Sequence, residues 1–389
     1  MGPEVQELEA ELAAFVGAKH CITCANGTDA LLMPLMAWGI GPGDAVFVPT
    51  FTFFATAEAV SLTGATPVFV DVQRSTFNID LESLRTQLDM VRGEGQLTPR
   101  AVIPVDLFGQ PAPYAELLPF AAREKLLVLE DLAQAFGATW QGLRTGSFAD
   151  CAATSFFPAK PLGCYGDGGA IFCHDDGLAE TLRSIRVHGQ GGDRYTNIRI
   201  GLNSRLDTIQ AAVLLEKLMI LPEELLHRAE AAARYHKLLA DLVEIPLISS
   251  DCTSVWAQYS VLTDNRDRLV RDLGDQGIPV MVYYPTPLHR QRAYAGLSPQ
   301  RVLPISEWLA RHILSLPMHP YLDRTTQEFI AASVARSVSG YCRRGTEALG
   351  QPGPTPPSRL MHSPGEGCAR SSAPDSRTGG APDSQRASF

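Results

Sequence analysis

Lysine is scarce in this chain. Of 33 basic residues among 389, five are lysine: Lys19, Lys125, Lys160, Lys217 and Lys237. The chain has no basic block, and its net charge is −9, which argues against nucleic acid or anionic membrane as a partner. No apolar run approaches the length of a membrane span. The first twenty residues carry Glu4, Glu7, Glu9 and Glu11, unlike a signal peptide. Met1-Gly2 is followed by no Ser or Thr at position six, as myristoylation needs. The eight cysteines are scattered, so no secreted disulfide framework is expected. Cys21-x-x-Cys24 has no second pair at zinc spacing, and an odd spacing within a strand puts the two thiols on opposite faces. No metal site is expected. Together these absences predict a soluble, cytoplasmic protein.

What is present suffices for more than one domain, since 45% of the residues are hydrophobic. Met1–Val16 has the period of an amphipathic helix, with Val5, Leu8, Leu12 and Phe15 on one face. Strand-like runs follow at His20–Cys24, Ala45–Val48, Pro67–Val72, Ala101–Leu107, Leu126–Asp131, Cys151–Phe157 and Gly168–Cys173. Helical periodicity alternates with them at Asp29–Trp38, Leu81–Val91, Tyr114–Glu124, Leu178–Val187 and Asp207–Leu239. Such alternation predicts an α/β fold with a mixed, mostly parallel sheet covered by helices. A smaller α+β unit is expected after it, with strands at Val255–Leu262 and Pro279–Tyr284 and helices at Asp267–Gln276, 305–314 and 325–338. The expected domains are 1–225, 226–338 and a tail, 339–389. Residues 341–389 hold seven Pro, seven Gly, seven Ser and no Lys. A segment of that composition is expected to be disordered. The tail carries +2, leaving the rest of the chain at −11.

Four patterns could carry chemistry. Lys160 lies between the apolar run Ser155-Phe156-Phe157-Pro158-Ala159 and a glycine-rich stretch. Desolvation there would lower its pKa and free a neutral amine; a lysine capping a loop carbonyl fits the local context equally well. Glu130 and Asp131 end a buried strand, where α/β sheets place ligands. A carboxylate there can keep a pyridinium nitrogen protonated, or it can simply cap the turn at Ala133-Gln134-Ala135. Asn26-Gly27-Thr28-Asp29 runs from a strand into a helix, as a phosphate cradle or as an ordinary cap. Phe53 trails another strand, where it could stack on a planar cofactor or join the core.

In chain order these elements resemble the DegT/DnrJ/EryC1/StrS family of pyridoxal-phosphate sugar aminotransferases, from about residue 2 to residue 338. The resemblance rests on Asn26-Gly27-Thr28-Asp29-Ala30-Leu31, Glu130-Asp131-x-Ala133-Gln134, Ser155–Lys160 and Gly166-Asp167-Gly168-Gly169. Arg186-x-His188-Gly189, Asn203–Asp207 and Leu316–Pro320 extend it. It implies the aspartate-aminotransferase fold and a homodimer with shared active sites. It further implies that Lys160 bonds covalently to pyridoxal 5′-phosphate, Asp131 faces the pyridine nitrogen and Gln134 lies near the phenolic oxygen. Phe53 occupies the ring-stacking position, while Gly27, Thr28 and Ser155 match phosphate-binding positions. Asn203 matches the residue that reaches the phosphate from the second subunit. Arg205, Tyr284 and His319 would contact substrate.

Phe156–Gly169 and Leu316–Leu322 are most like the branch that aminates UDP-2-acetamido-2-deoxy-3-oxo-glucuronate with glutamate, for surface-polysaccharide synthesis. A 4-keto nucleotide sugar is the alternative acceptor, and a non-catalytic scaffold or regulator the alternative role. Dehydratases on this fold replace the lysine with histidine, unlike this chain. Family members start two to three dozen residues earlier, so the chain is expected to be truncated at its start. The family's His-Tyr-Pro is Tyr283-Tyr284-Pro285 here, and the tail matches nothing in the family.

Overall fold

The computed structural model describes residues 2–193, 195–297 and 302–348, with only the backbone path from 340 onward. Contacts divide the chain into Met1–Arg343 and Arg344–Phe389. The first unit is built on a seven-stranded sheet. After helix α1 (Pro3–Val16) come β1 (His20–Cys24), α2 (Gly27–Ala37), β2 (Asp44–Pro49), α3 (Ala55–Leu62) and β3 (Thr66–Val70). Then follow α4 (Leu81–Glu94), β4 (Thr98–Val102), α5 (Tyr114–Glu124) and β5 (Leu127–Asp131). A short hairpin, β6 (Thr139–Trp140) and β7 (Leu143–Arg144), precedes β8 (Cys151–Ser155), β9 (Gly169–Cys173) and α6 (Asp176–Ile185).

The strand order is β1-β9-β8-β5-β4-β2-β3. Pairings from β3 through β8 are parallel, and β9 runs antiparallel to both β8 and β1. The sheet is therefore mixed and mostly parallel, as the alternation of elements predicted. Side chains along each strand divide between two cores, as the period of two demands. Val46 and Val48 pack on the face covered by α2, α3 and α6, while Ala45 and Phe47 pack on the face covered by α4 and α5. Cys24 joins the first of these cores, and Cys21 joins a third formed under α1. The two thiols do lie on opposite faces, and burial raises the pKa of both.

Helix α1 buries Val5, Leu8, Leu12 and Val16. Phe15, expected on that face, is half-buried instead and stacks on Phe136. Helix α7 (Thr208–Leu239) runs unbroken through residue 225, where a domain boundary was expected. Beyond it lie β10 (Tyr259–Leu262), α8 (Arg266–Gly274), α9 (Pro304–His312), β11 (Ile313–Leu316) and α10 (Arg324–Ala348). Strands β10 and β11 pair antiparallel over their own core, which includes Tyr235, Leu273 and Val334.

Three sequence expectations are corrected here. The strand expected at Val255–Leu262 starts only at Tyr259. Pro279–Tyr284 forms no strand, and Met281 alone bridges to Ser315. The helix expected over 305–314 stops at His312, because Ile313–Leu316 pairs as β11. Helix α3, rich in alanine and short, was not anticipated at all. The composition change near 340 does not end regular structure, since α10 continues to Ala348. The first proline beyond it is Pro352, and Arg343, Arg344, Glu347 and Ala348 favour helix. The disorder expected of the tail falls, over 349–389, outside the described residues.

Candidate active site

The carboxyl ends of β2, β5 and β8 open onto one cleft of about 700 Å³, faced by the N-terminus of α2. Gly27, Thr28, Phe53, Asp131, Gln134, Ser155, Lys160 and Tyr284 all line it. Their separation in sequence is erased by the parallel strand order, which sets β5 beside β8 and brings the loop after β2 across from them.

Asp131 ends β5 and is buried. Its Oδ2 accepts a hydrogen bond from Thr56 Oγ1 at 2.9 Å, and its Oδ1 accepts from the Ala133 amide at 3.2 Å. The turn-capping role is therefore real, but it uses one oxygen only. Burial raises the Asp131 pKa, against the lowering effects of Thr56 and of the nearby Lys160 charge. Lys160 is half-buried in the loop after β8. Burial lowers its pKa, and the Asp131 carboxylate opposes that shift. The neutral amine is thus brought toward the accessible pH range, as a nucleophilic lysine requires.

The carbonyl-capping role left open for Lys160 belongs to another lysine. Lys217 Nζ donates to the Gly163 carbonyl at 2.5 Å and lies 5.6 Å from the Tyr165 ring centroid. Lys217 is half-buried and ties α7 to the loop that carries Lys160.

At the other end of the cleft, Asn26 caps α2, its Oδ1 accepting from the Asp29 amide at 2.8 Å. Gly27 and Thr28 open the helix, so their backbone N–H groups point at the cleft with the positive end of the helix dipole. A Cβ on Gly27 would lie 2.6 Å from Ser155 Cβ, so glycine is what lets the helix start and the Ser155 hydroxyl converge. Backbone donors and two hydroxyls so arranged fit a phosphate. Phe53 is 59% exposed, which a core aromatic would not be and a stacking platform is. Pyridoxal 5′-phosphate fits these residues: an amine, a carboxylate, a ring face and an anion cradle share one cleft.

Sequence reasoning missed several lining residues. Thr52, in the loop after β2, has its hydroxyl 3.3 Å from that of Thr56, and the unpredicted α3 is what presents Thr56. Gln134 accepts from the Phe108 amide at 2.7 Å and donates to the Tyr284 hydroxyl at 3.2 Å. Gln258 and Tyr283 also line the cleft. Nothing in the local sequence signals Gln258, which lies in an irregular stretch before β10.

Asn203, Arg205 and His319 are not brought to the cleft of this chain. All three are exposed, and Arg205 Nε donates to Asn203 Oδ1 at 3.3 Å.

The architecture is that of a pyridoxal-phosphate aminotransferase, and the cleft has the residues to hold that cofactor. The chain belongs to the DegT/DnrJ/EryC1/StrS aminotransferase family, whose model matches residues 1–335. It is 49% identical over 337 residues to the UDP-2-acetamido-2-deoxy-3-oxo-D-glucuronate aminotransferase of Pseudomonas aeruginosa, covering 86% of this chain and 90% of that one. A family aminotransferase from Brucella abortus superposes with a TM-score of 0.85 at 52% identity, over 87% of this chain and 91% of the other. NtdA from Bacillus subtilis, solved with bound PMP, is 30% identical with a TM-score of 0.78, over 87% and 78% of the respective chains. Among the described residues no helix is long and apolar enough to cross a membrane.

Proposed function

We propose that this protein transfers an amino group from glutamate to the keto group of a nucleotide-linked sugar, with UDP-2-acetamido-2-deoxy-3-oxo-glucuronate as the acceptor. The observation that carries this reading is the meeting of Lys160, whose pKa burial lowers toward the neutral amine, with Asp131, whose carboxylate Thr56, Ala133 and the Lys160 charge favour against its burial, in a cleft with an anion cradle at one end. The choice of sugar draws on the Pseudomonas relative.

Bound pyridoxal 5′-phosphate supplies an electron sink for the carbanion formed at the reacting carbon. The residues of this chain do the rest. The Gly27 and Thr28 amides, with the Thr28 and Ser155 hydroxyls, hold the phosphate. Phe53 stacks on one ring face. Asp131, fixed by Thr56 and Ala133, holds the proton on the ring nitrogen. Lys160 Nζ would be the amine that holds the cofactor and, when free, would move a proton at the substrate carbon. Gln134 and Tyr284, already hydrogen-bonded to each other, orient groups near the ring. A folded-chain charge near −11 makes local donors, rather than overall attraction, responsible for holding an anionic nucleotide.

The exposure of Asn203, Arg205 and His319 fits a homodimer in which they serve the cleft of the second copy. Cytoplasmic action follows from the nucleotide-linked substrate.

Borohydride reduction followed by peptide mapping tests the enzyme, and an adduct is expected on Lys160. Single-turnover amination across nucleotide 3- and 4-keto sugars tests the substrate. Reaction with 4-keto sugars alone would reject the choice made here.

A further inference from the structure

Behind Asp131, on the opposite side of β5, lie two carboxyl groups to which the chemistry above gives no role. Glu130 and Asp106 are both fully buried. Each is anchored by one oxygen. Glu130 Oε1 accepts from the Gly146 amide at 2.8 Å, and Asp106 Oδ1 accepts from the Ala112 amide at 2.7 Å and the Tyr114 hydroxyl at 2.9 Å. The other two oxygens, Glu130 Oε2 and Asp106 Oδ2, find no donor among the described residues. Yet the two side chains stand within hydrogen-bonding contact of each other. Two buried carboxylates would leave a pair of desolvated like charges in contact, which costs several kcal/mol. One proton between the orphaned oxygens satisfies both.

We infer that Asp106 and Glu130 share a single proton and act together as a positioning pair for Asp131. The connection to Asp131 runs through the backbone. The Asp106 amide donates to the Asp131 carbonyl at 3.0 Å, and the Asp131 amide donates to the Pro104 carbonyl at 2.9 Å. The Asp106 side chain then clamps Glu130, the residue before Asp131, so the carboxyl end of β5 is held on both sides of the chain. Burial raises the proton affinity of both groups, and Asp106 raises that of Glu130 further, while the contact with Glu130 lowers that of Asp106. The titratable groups facing the pair are Tyr114 from α5, Asp131 from β5, Cys151 from β8 and Cys252 from the segment after α7. This pairing depends on the protein fold alone and stands whether or not the transaminase substrate is correctly chosen.

The sign of the pH effect follows. The unfolded chain releases the proton in the ordinary carboxylate range, while the folded chain keeps it to higher pH. Stability is therefore fully present in acid and falls as pH rises from the ordinary range through the raised one.

The test uses the full-length, cofactor-free chain, unfolded in denaturant at a series of pH values, with Glu130→Gln, Asp106→Asn and the double variant. In Glu130→Gln the new amide donates to Asp106 Oδ2 while its oxygen keeps the Gly146 bond. In Asp106→Asn the new amide donates to Glu130 Oε2 while its oxygen keeps Ala112 and Tyr114. Each single variant should fold and should flatten the fall in stability between about pH 5 and about pH 8 by one proton, up to about tenfold in the unfolding equilibrium per pH unit. The double variant turns two N–H donors on each other and should lose more than the sum of the singles.

Equal pH slopes in all proteins, an additive double variant, or failure of both single variants to fold overturns the shared proton. Positioning is read separately, from the pH profile of absorbance of the protein loaded with pyridoxal 5′-phosphate. That profile should move in the double variant and stay near wild type in the singles. An unmoved profile in the double variant overturns the positioning role.

Discussion

Thr56 Oγ1 donates to Asp131 Oδ2 across 2.9 Å, from a helix that follows β2 to the end of β5, 75 residues later. This bond orients the carboxylate proposed to meet the cofactor ring. Thr56→Val keeps the shape and removes the donor. A hydrogen bond to a buried charged group contributes about 1.5–3 kcal/mol, so kcat/KM should fall about ten- to a hundredfold. Steady-state kinetics measure it, and an unchanged kcat/KM would show the bond to be incidental.

Lys160 makes a second prediction, about stability and pH. Burial holds its folded pKa below the ordinary 10.5. Between the folded value and 10.5 the unfolded chain binds more protons than the folded one, so Lys160 makes stability rise as pH rises through that window. Lys160→Met should abolish this alkaline gain, in unfolding curves of cofactor-free protein from neutral pH upward. It should also reduce amino transfer by at least about 10²- to 10⁴-fold through loss of the general base. A variant with the wild-type pH slope would contradict the burial argument.

Gly27→Ala puts a methyl carbon 2.6 Å from Ser155 Cβ. Overpacking of this kind costs about 1–3 kcal/mol, visible as a lower melting temperature. Affinity for pyridoxal 5′-phosphate should fall as well, because the helix start moves away from the Ser155 hydroxyl. Titration of cofactor into apoprotein checks it, and wild-type affinity would count against the cradle.

Lys217→Met removes the bond to the Gly163 carbonyl. A loss of about 1 kcal/mol is expected in stability, since Lys217 is only half-buried. The loop from Phe156 to Gly168 should become more open to proteolysis, and limited digestion followed by mass mapping reads this directly. Cleavage unchanged in that loop would remove Lys217 from the support of Lys160.

The alternation of apolar strands with helical periods was enough to define the mixed α/β sheet, because a two-residue period and a 3.6-residue period are local properties of the chain. Lys160, Asp131 and the Gly27-Thr28 turn were legible for a related reason. Each follows an apolar strand or opens a helix, and those ends are where such folds expose chemistry. Scarcity helped, since five lysines left few candidates. Local pattern failed where pairing rather than periodicity decides. Ile313–Leu316 became a strand only because β10 lay beside it, and Pro279–Tyr284 found no continuous partner. It failed again for Thr56, Gln258 and the Gln134–Tyr284 bond, whose partners lie far away in the chain.

The amino-acid sequence by itself determined which groups this chain brings to its cleft: one lysine set for desolvation, one carboxylate at a strand end, one glycine-opened helix. The tertiary structure alone decided how they are held. It gave Asp131 its threonine, showed the carbonyl bond on Lys217, and buried Asp106 beside Glu130. The physical reason is that burial and long-range hydrogen bonds belong to pairs of distant residues, and a linear pattern carries no record of those pairs.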